Sequence, residues 1–366
     1  MNAPPDSSDY ADLFLRDTPL LDTRAPLEFA RGAFPTATNL PLMSDEERAA
    51  VGSCYKQKGP EAAIALGHEL VAGEMREARI DAWQDFAEAH PTGFLYCFRG
   101  GLRSQIVQQW LAERGIVYPR VAGGYKSMRR FLIDTLEACS VRAPLLIVAG
   151  ATGTGKTLLL RDLKRSIDLE GLAHHRGSAF GRLLDPQPTQ IDFENAIAIA
   201  LHRLVQQPGP VILEDEGHLI GRLALPATLR ERMSQAPLLV LEYPLEERID
   251  VVIDDYIVDL GRRFAARFGD DGAARHRARL VEDLGRTRKR LGGARHVEVA
   301  ALMEAAFDEQ ERSGSPDAHR AWIRRLLKDY YDPMYAFQLS RREGRRLCVG
   351  RREDIAAYTH EFLVDA

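Results

Sequence analysis

The sequence predicts an α/β protein with two parallel-sheet domains and a helical C-terminal extension. Three observations predict it. From Leu13 to about Glu137, short apolar strands alternate with helical patterns. An apolar strand, Leu145 to Ala149, then runs straight into the glycine-rich segment Gly150-Ala151-Thr152-Gly153-Thr154-Gly155-Lys156-Thr157 and a helix. After Glu246 the pattern turns helical and rich in arginine, to the end of the chain. Strand, loop and helix in succession imply a parallel sheet, because parallel neighbours need a crossover. The expected division is 1–138 for the first domain, 139–250 for the second and 251–366 for the extension.

Each element has its own warrant. Pro19 to Arg24 reads as a strand ending in a polar turn, and Ala37 to Leu42 as a second extended piece. Gly93 to Tyr96 is a buried strand that delivers Cys97 at its carboxyl end, where ligands sit in such sheets. Ser104 to Glu113 is helical, with Ile106, Val107, Trp110 and Leu111 as its apolar face. Val117 to Val121 reads as another strand, closed by Gly123-Gly124. Arg142-Ala143-Pro144 is a linker. Leu158 to Lys164 begins the helix after the glycine-rich loop, and buried strands follow at Val211 to Leu213 and Leu238 to Leu241.

Composition narrows the class. At 366 residues the chain is long for one domain, and 45% hydrophobic with 28% charged residues is ordinary for a globular protein. No apolar run is long enough to span a membrane. The start, Met1 to Tyr10, is polar and lacks the basic and apolar regions of a signal peptide. A cytoplasmic protein without membrane contact, acting as a monomer, is the expectation. Cys54, Cys97, Cys139 and Cys348 form no C-x-x-C pair, so a zinc ribbon is not indicated and the thiols should stay reduced. A net charge of −4 argues against indiscriminate coating of nucleic acid. Arginines nevertheless gather between Arg262 and Arg295 and again from Arg341 to Arg352, either as solvated helix faces or as contacts to an RNA backbone. Tyr330, Tyr331, Tyr335 and Phe337 could stack on bases or pack in a core.

Two stretches carry chemistry. In Cys97-Phe98-Arg99-Gly100-Gly101-Leu102-Arg103-Ser104, the two glycines let successive N–H groups turn inward as an anion nest. Leu102 and Ser104 complete that loop, where a helix begins and adds its positive end. Arg99 and Arg103 add full charges. Such a loop stabilises a thiolate and binds the oxyanion it meets. Cys97, Arg99 and Arg103 are the expected catalytic residues; a buried structural cysteine is the bland alternative. The second stretch, Gly150-x4-Gly155-Lys156-Thr157, is a P-loop in the strand–loop–helix context it needs. Backbone amides from Gly153 through Thr154 and Gly155 to Lys156 would cradle a diphosphate, and Lys156 adds a point charge. Thr157 is a candidate Mg²⁺ ligand, with Asp215 or Glu214, at the tip of the strand Val211 to Leu213, holding the ion through water. No other metal site is expected; the His174-His175 pair lacks a third ligand. His175, Arg176 and Ser178 lie in a polar loop suited to substrate contact or to an ordinary connection.

The Cys97 loop resembles the active-site loop of the rhodanese family, as does the strand end Asp22-Thr23-Arg24. The sulfurtransferase pattern is Cys-x-x-Gly-x-Arg, whereas here Arg103 gives Cys-x5-Arg, the spacing of rhodanese-like phosphatases. The wider nest suits a tetrahedral phosphorus-centred anion. A rhodanese-like domain fused to a P-loop domain is similar to the bacterial tRNA 2-selenouridine synthase family. Cys54-Tyr55-Lys56-Gln57-Lys58-Gly59, Ala65-Leu66-Gly67-His68, Gly123-Gly124-Tyr125-Lys126, His175-Arg176-Gly177-Ser178-Ala179-Phe180-Gly181 and Tyr330-Tyr331-Asp332-Pro333-Met334-Tyr335 share the likeness.

That resemblance implies a rhodanese-like N-terminal domain and a transferase acting on tRNA with 2-thiouridine at the wobble position. It implies selenophosphate as selenium donor, geranyl diphosphate as alkyl donor and an S-geranyl intermediate, with no tightly bound cofactor. Cys97 would then carry selenium transiently, and the P-loop would bind the diphosphate without nucleotide hydrolysis. A Cys-dependent phosphatase or sulfurtransferase with an NTP-binding domain is the rival reading.

Overall fold

The computed structural model describes residues 6–342 and 344–363; the first five residues of the polar start and the last three of the helical end lie outside them. The chain packs as two compact units: Met1–Ala138 with Thr189–Arg203, and Cys139–Pro188 with Leu204–Ala366.

The first unit is built on β1 (Leu20–Asp22), β2 (Ala37–Asn39) and β3 (Phe94–Tyr96). All are parallel, in the order β2-β1-β3, with Asp22 beside both Asn39 and Tyr96. The strand expected at Val117–Val121 is reduced to single bridges, Leu95 to Arg120 and Ser7 to Val121. Pro119 explains this: it has no N–H for a ladder, although its carbonyl still accepts from Leu95 N at 2.9 Å. Helices Gly73–Ala89 and Leu102–Glu113 close a core in which Trp83, Leu95, Val107 and Leu111 are wholly buried. Helix Gln190–Leu204, distant in sequence, also belongs here through Thr189–Arg203. Asp192 accepts from Ala33 N at 2.6 Å, and Asn195 donates to Ala33 O at 2.7 Å. Asn195 is fully buried and also accepts from Arg129 Nη1 at 2.7 Å, so both ends of an amide that water cannot reach have partners.

The second unit holds β4 (Leu145–Gly150), β5 (Ser166–Ile167), β6 (Val211–Glu214), an antiparallel pair β7 (Leu219–Ile220) and β8 (Leu223–Ala224), then β9 (Leu238–Leu241) and β10 (Arg346–Gly350). The main sheet is parallel throughout, in the order β10-β9-β4-β6-β5. Every residue of β4, β6 and β9 is buried, as expected of central parallel strands. The strand β10 interrupts what the sequence reads as purely helical. As a half-exposed edge strand it lacks the continuous apolar run that marks a central one. The C-terminal region is otherwise helical. Helices Leu260–Phe268, Gly272–Leu291, Gly293–Ser313 and Arg320–Leu326 enclose a core that includes Leu280, Leu284, Met303 and Ile323. Two π-helical segments, Asp254–Asp259 and Leu327–Tyr331, interrupt these helices. Among the described residues, no helix is long and apolar enough to cross a membrane.

Candidate active site

The first unit presents Cys97 immediately after β3, and a buried network fixes that strand end. Arg24 and Asp22 are essentially unexposed and pair at 2.6 Å. The Tyr96 hydroxyl donates to Asp22 at 2.6 Å, and Thr23 Oγ1 donates to Tyr96 O at 2.9 Å. Arg24 also lies 3.8 Å from the ring centre of Tyr125. The Asp22-Thr23-Arg24 turn is thus tied to the residue that precedes the thiol.

Cys97 Sγ lies 3.3 Å from Ser104 Oγ and 3.8 Å from Gly101 O, and the residue is 3% exposed. Gly100 takes a positive φ of 64°, the conformation the turn requires. Helix Leu102–Glu113 starts at Gly101 with no side-chain cap, leaving its first N–H groups directed at the loop. A second loop clamps the first. Tyr125 N donates to Cys97 O and Lys126 N to Phe98 O, each at 2.9 Å. Gly124 sits beneath, with φ +60°, and a Cβ there would overlap the Cys97 carbonyl oxygen and stand 2.5 Å from Gly100 N. The Gly123-Gly124 pair, read from sequence as a strand closure, therefore supports the thiol loop.

The two arginines of the loop differ. Arg99 is exposed, over the Phe98 ring at 5.9 Å. Arg103 is partly buried and donates to Glu28 through Nη1 and Nη2, at 2.5 and 3.2 Å. Burial alone would push the Glu28 carboxyl up, but the hydrogen bond and charge of Arg103 outweigh it and leave Glu28 below the usual value. Sequence reasoning missed Glu28, because nothing in its neighbourhood marks it as a partner 75 residues away.

The second unit contains a cavity of about 930 Å³ that gathers most of the remaining expected residues. The P-loop residues Gly150, Gly153, Thr154, Gly155, Lys156 and Thr157 line it, as do His175, Arg176, Ser178 and Asp215. Gly153 and Gly155 have φ of +85° and +73°, and Gly155 caps helix Lys156–Asp162. Lys156 Nζ donates to Gly150 O at 2.8 Å. Arg248 holds the loop from behind, donating to Thr152 O at 3.3 Å and to both oxygens of Asp332 at 2.7 Å. Asp332 belongs to the Tyr330–Tyr335 stretch singled out above, and Tyr330, Tyr331 and Tyr335 line the cavity. Phe337 stands 63% exposed. Both π segments contribute lining residues, among them Asp255, Tyr256 and Tyr331. Such segments often mark functional positions, and sequence gave no sign of them.

The polar loop folds tightly over the cavity. Arg176 N donates to Gly181 O at 2.8 Å, Arg176 Nη1 to Asp255 O at 2.9 Å, and the Ser178 and Tyr256 hydroxyls are 3.2 Å apart. His175 is buried; burial first, then the charges of Arg286 and Arg182, pull it down to about 4, so it is neutral near pH 7.

Glu170, Glu214 and Glu216 form a cluster whose candidate ligand oxygens lie within 4.8 Å of one another. Thr157 Oγ1 donates to Glu170 at 3.3 Å. Glu214 is fully buried; one oxygen accepts from Glu170 N at 2.6 Å and the other has no hydrogen-bond partner. Burial, then the charge of Glu170, drives the Glu214 carboxyl well above its ordinary value. An all-oxygen set with an orphaned buried carboxylate oxygen fits a hard divalent cation. Of the two acids that sequence offers at this strand tip, Glu214 belongs to the carboxylate cluster and Asp215 pairs with Arg342.

Several arginines of the two clusters are engaged in ion pairs within the fold. Arg277 binds Asp308 at 2.8 Å and also Glu304, Arg263 binds Asp259 at 2.9 Å, and Arg351 binds Glu247 at 2.8 Å. Arg288, Lys289 and Arg290 are exposed in the last turn of helix Gly272–Leu291, and Arg290 lines the cavity.

Similarity to known proteins agrees with this architecture. Residues 143–365 match the tRNA 2-selenouridine synthase AAA domain. The tRNA 2-selenouridine synthase of Marinobacter nauticus is 52% identical over 360 residues, covering 98% of each chain. That of Hahella chejuensis is 54% identical over 98% of this chain and 94% of its own, and that of Pseudomonas fluorescens strain Pf0-1 51% identical over 97% and 98%. Matches of this identity along nearly the whole of both chains mean that the chain belongs to the tRNA 2-selenouridine synthase family.

Proposed function

We propose that this enzyme replaces sulfur by selenium at C2 of wobble-position 2-thiouridine in tRNA, in the cytoplasm, through an S-geranyl intermediate. The two units divide the work. The first is rhodanese-like in this reading, which its parallel strands and its thiol at a strand end support. The second holds geranyl diphosphate, with the diphosphate on the P-loop amides and Lys156.

Atoms balance through alkylation, displacement and a final hydrolysis. The thiocarbonyl sulfur attacks the first carbon of the geranyl group; an S–C bond forms as the C–O bond to diphosphate breaks, and the N3 proton leaves. Selenium from selenophosphate then adds to C2, the C–S bond breaks and geranylthiol departs. Water cleaves the P–Se bond, releasing phosphate. Alkylation makes sulfur a better leaving group, which is why it comes first. Cys97, Arg99 and the Gly100–Ser104 loop would receive selenophosphate, with Arg103 shared between that anion and Glu28. Thr157, Glu170, Glu214 and Glu216 would hold Mg²⁺, which offsets diphosphate charge. His175, Arg176 and Ser178 would contact substrate in the cavity, and the exposed Arg288–Arg290 turn would meet the tRNA backbone.

The observation that supports this reading is that one unit holds a thiol in a glycine-rich loop at a strand end, while the other holds a P-loop cavity beside a carboxylate cluster. Single-site variants test it. Lys156→Ala should abolish S-geranylation yet still selenate pre-geranylated tRNA; Cys97→Ser should do the reverse. If either variant retains the step assigned to it at the normal rate, that assignment fails.

A further inference from the structure

One cavity in the first unit differs from the P-loop cavity in kind. It is an open groove of about 170 Å³ between helices Asp45–Lys58, Pro60–Leu70 and Leu102–Glu113. Its lining is apolar except for His68 and Arg103. Among the described residues, no carboxylate lines it. At Gly67 the wall is cut away: a Cβ there would meet only Val51, at 3.8 Å. Three large apolar side chains stand open to water on its lining: Tyr55 at 59% exposure, Leu102 at 48% and Ile64 at 39%. Exposed apolar groups gathered on one concavity mark a binding surface.

The placement is specific. Leu102, Ile106 and Trp110 recur every four residues along one side of helix Leu102–Glu113. The same first turn carries Ser104, whose hydroxyl is 3.3 Å from Cys97 Sγ. Arg103 is at once a groove residue and a member of the thiol loop. The groove therefore starts where the selenium chemistry is assigned. Dry apolar cavities of about 150 Å³ accept a six-carbon hydrocarbon. An open groove of 170 Å³ suits most of an acyclic ten-carbon chain with its attached end outside.

We propose that this groove binds the S-alkyl chain of the modified uridine, so that the geranyl group is seated beside Cys97 while selenium displaces it. This rests on the two-step reading above. It gives the leaving group a place in the first unit, distinct from the P-loop cavity that holds the diphosphate donor. It also gives the enzyme a means of preferring alkylated over unalkylated tRNA at the selenium step. The hydrophobic contact is lost once geranylthiol has gone, which favours product release.

The test is equilibrium binding of the full chain to two tRNA anticodon stem-loops, one with S-geranyl-2-thiouridine and one with 2-thiouridine. The readout is the ratio of their affinities, which cancels any general loss of RNA binding. The wild type should prefer the alkylated RNA by at least about tenfold, or roughly 1.4 kcal/mol. Ile64→Glu and, independently, Tyr55→Glu should bring the ratio to within about twofold of unity; both positions are exposed, so folding is not at stake, and thermal melts verify it. A ratio unchanged in the variants, or a wild type with no preference, overturns the proposal. So does concentration-dependent dimerisation abolished by Ile64→Glu without an alkyl preference, which would assign the groove to a second copy. A parallel arm asks by mass spectrometry whether the wild type selenates the S-geranyl stem-loop. If it does not, the two-step reading itself fails; if it does and the ratio is flat, only the groove assignment fails.

Discussion

Gly124→Ala puts the thiol-loop account at risk with a single added methyl. Gly124 has φ +60°, and its missing side chain leaves room for the Cys97 carbonyl and the Gly100 nitrogen. An alanine would carry a left-handed penalty of about 1–2 kcal/mol. Its Cβ would also displace the two backbone bonds from Tyr125 and Lys126 to Cys97 and Phe98, each worth about 1 kcal/mol. The sum, about 3–4 kcal/mol, is large but within the stability of an ordinary domain, so the unit should stay folded with a lowered melting temperature. The functional cost is larger than the structural one, because a displacement of about 1 Å at a reacting group can cost roughly a hundredfold in rate. Selenation of pre-geranylated tRNA by this variant, followed by liquid chromatography and mass spectrometry, should therefore fall about a hundredfold. S-geranylation, assigned to the second unit, should fall much less. Normal selenation with a normal melting temperature would refute the claim that Gly124 sets the thiol loop; an equal loss of both steps would refute the division of labour.

Other consequences follow from the same geometry. Glu28 has a carboxyl held below its ordinary value of 4.5, so it contributes stability that is present above 4.5 and lost as pH falls through the lower folded value. Glu28→Gln should melt earlier than the wild type at pH 7, with the difference shrinking on acidification below 4.5; a difference that is constant with pH would contradict the Arg103 pairing. Glu214→Gln removes one of three crowded carboxylates. In Mg²⁺-free buffer it should melt higher than the wild type, and millimolar Mg²⁺ should stabilise the wild type but not the variant. Equal Mg²⁺ stabilisation of both would remove Glu214 from the cation site.

Much of this was legible in the sequence because the signals are local. The P-loop needs a strand, fixed glycines and a helix within about a dozen residues, and β4, Gly153, Gly155 and helix Lys156–Asp162 supply them. The thiol loop likewise carries its own glycines and arginines. What sequence did not show depends on long-range pairing. Glu28 meets Arg103 across 75 residues, and Arg248 meets Asp332 across 84. Sequence offered Glu214 and Asp215 alike; what separates them is distant, since Glu214 accepts from the Glu170 N–H 44 residues away and Asp215 is taken by Arg342. Helix Gln190–Leu204 joins the first unit through Asp192 and Asn195, whose contacts with Ala33 have no sequence signature. The short edge strand β10 was hidden by the arginines that start and flank it, and the strand after Ile116 was weakened by Pro119. The groove was invisible for a different reason: Leu102, Ile106 and Trp110 look like any buried helix face until three helices leave it open.

The most direct measurement is the composition of wobble uridine in 2-thiouridine tRNA after incubation with the wild-type chain, with each donor withheld in turn. With both selenophosphate and geranyl diphosphate present, mass spectrometry should find 2-selenouridine. Without selenophosphate, S-geranyl-2-thiouridine should accumulate; without geranyl diphosphate, 2-thiouridine should remain. Full conversion to 2-selenouridine in the absence of geranyl diphosphate would contradict the account.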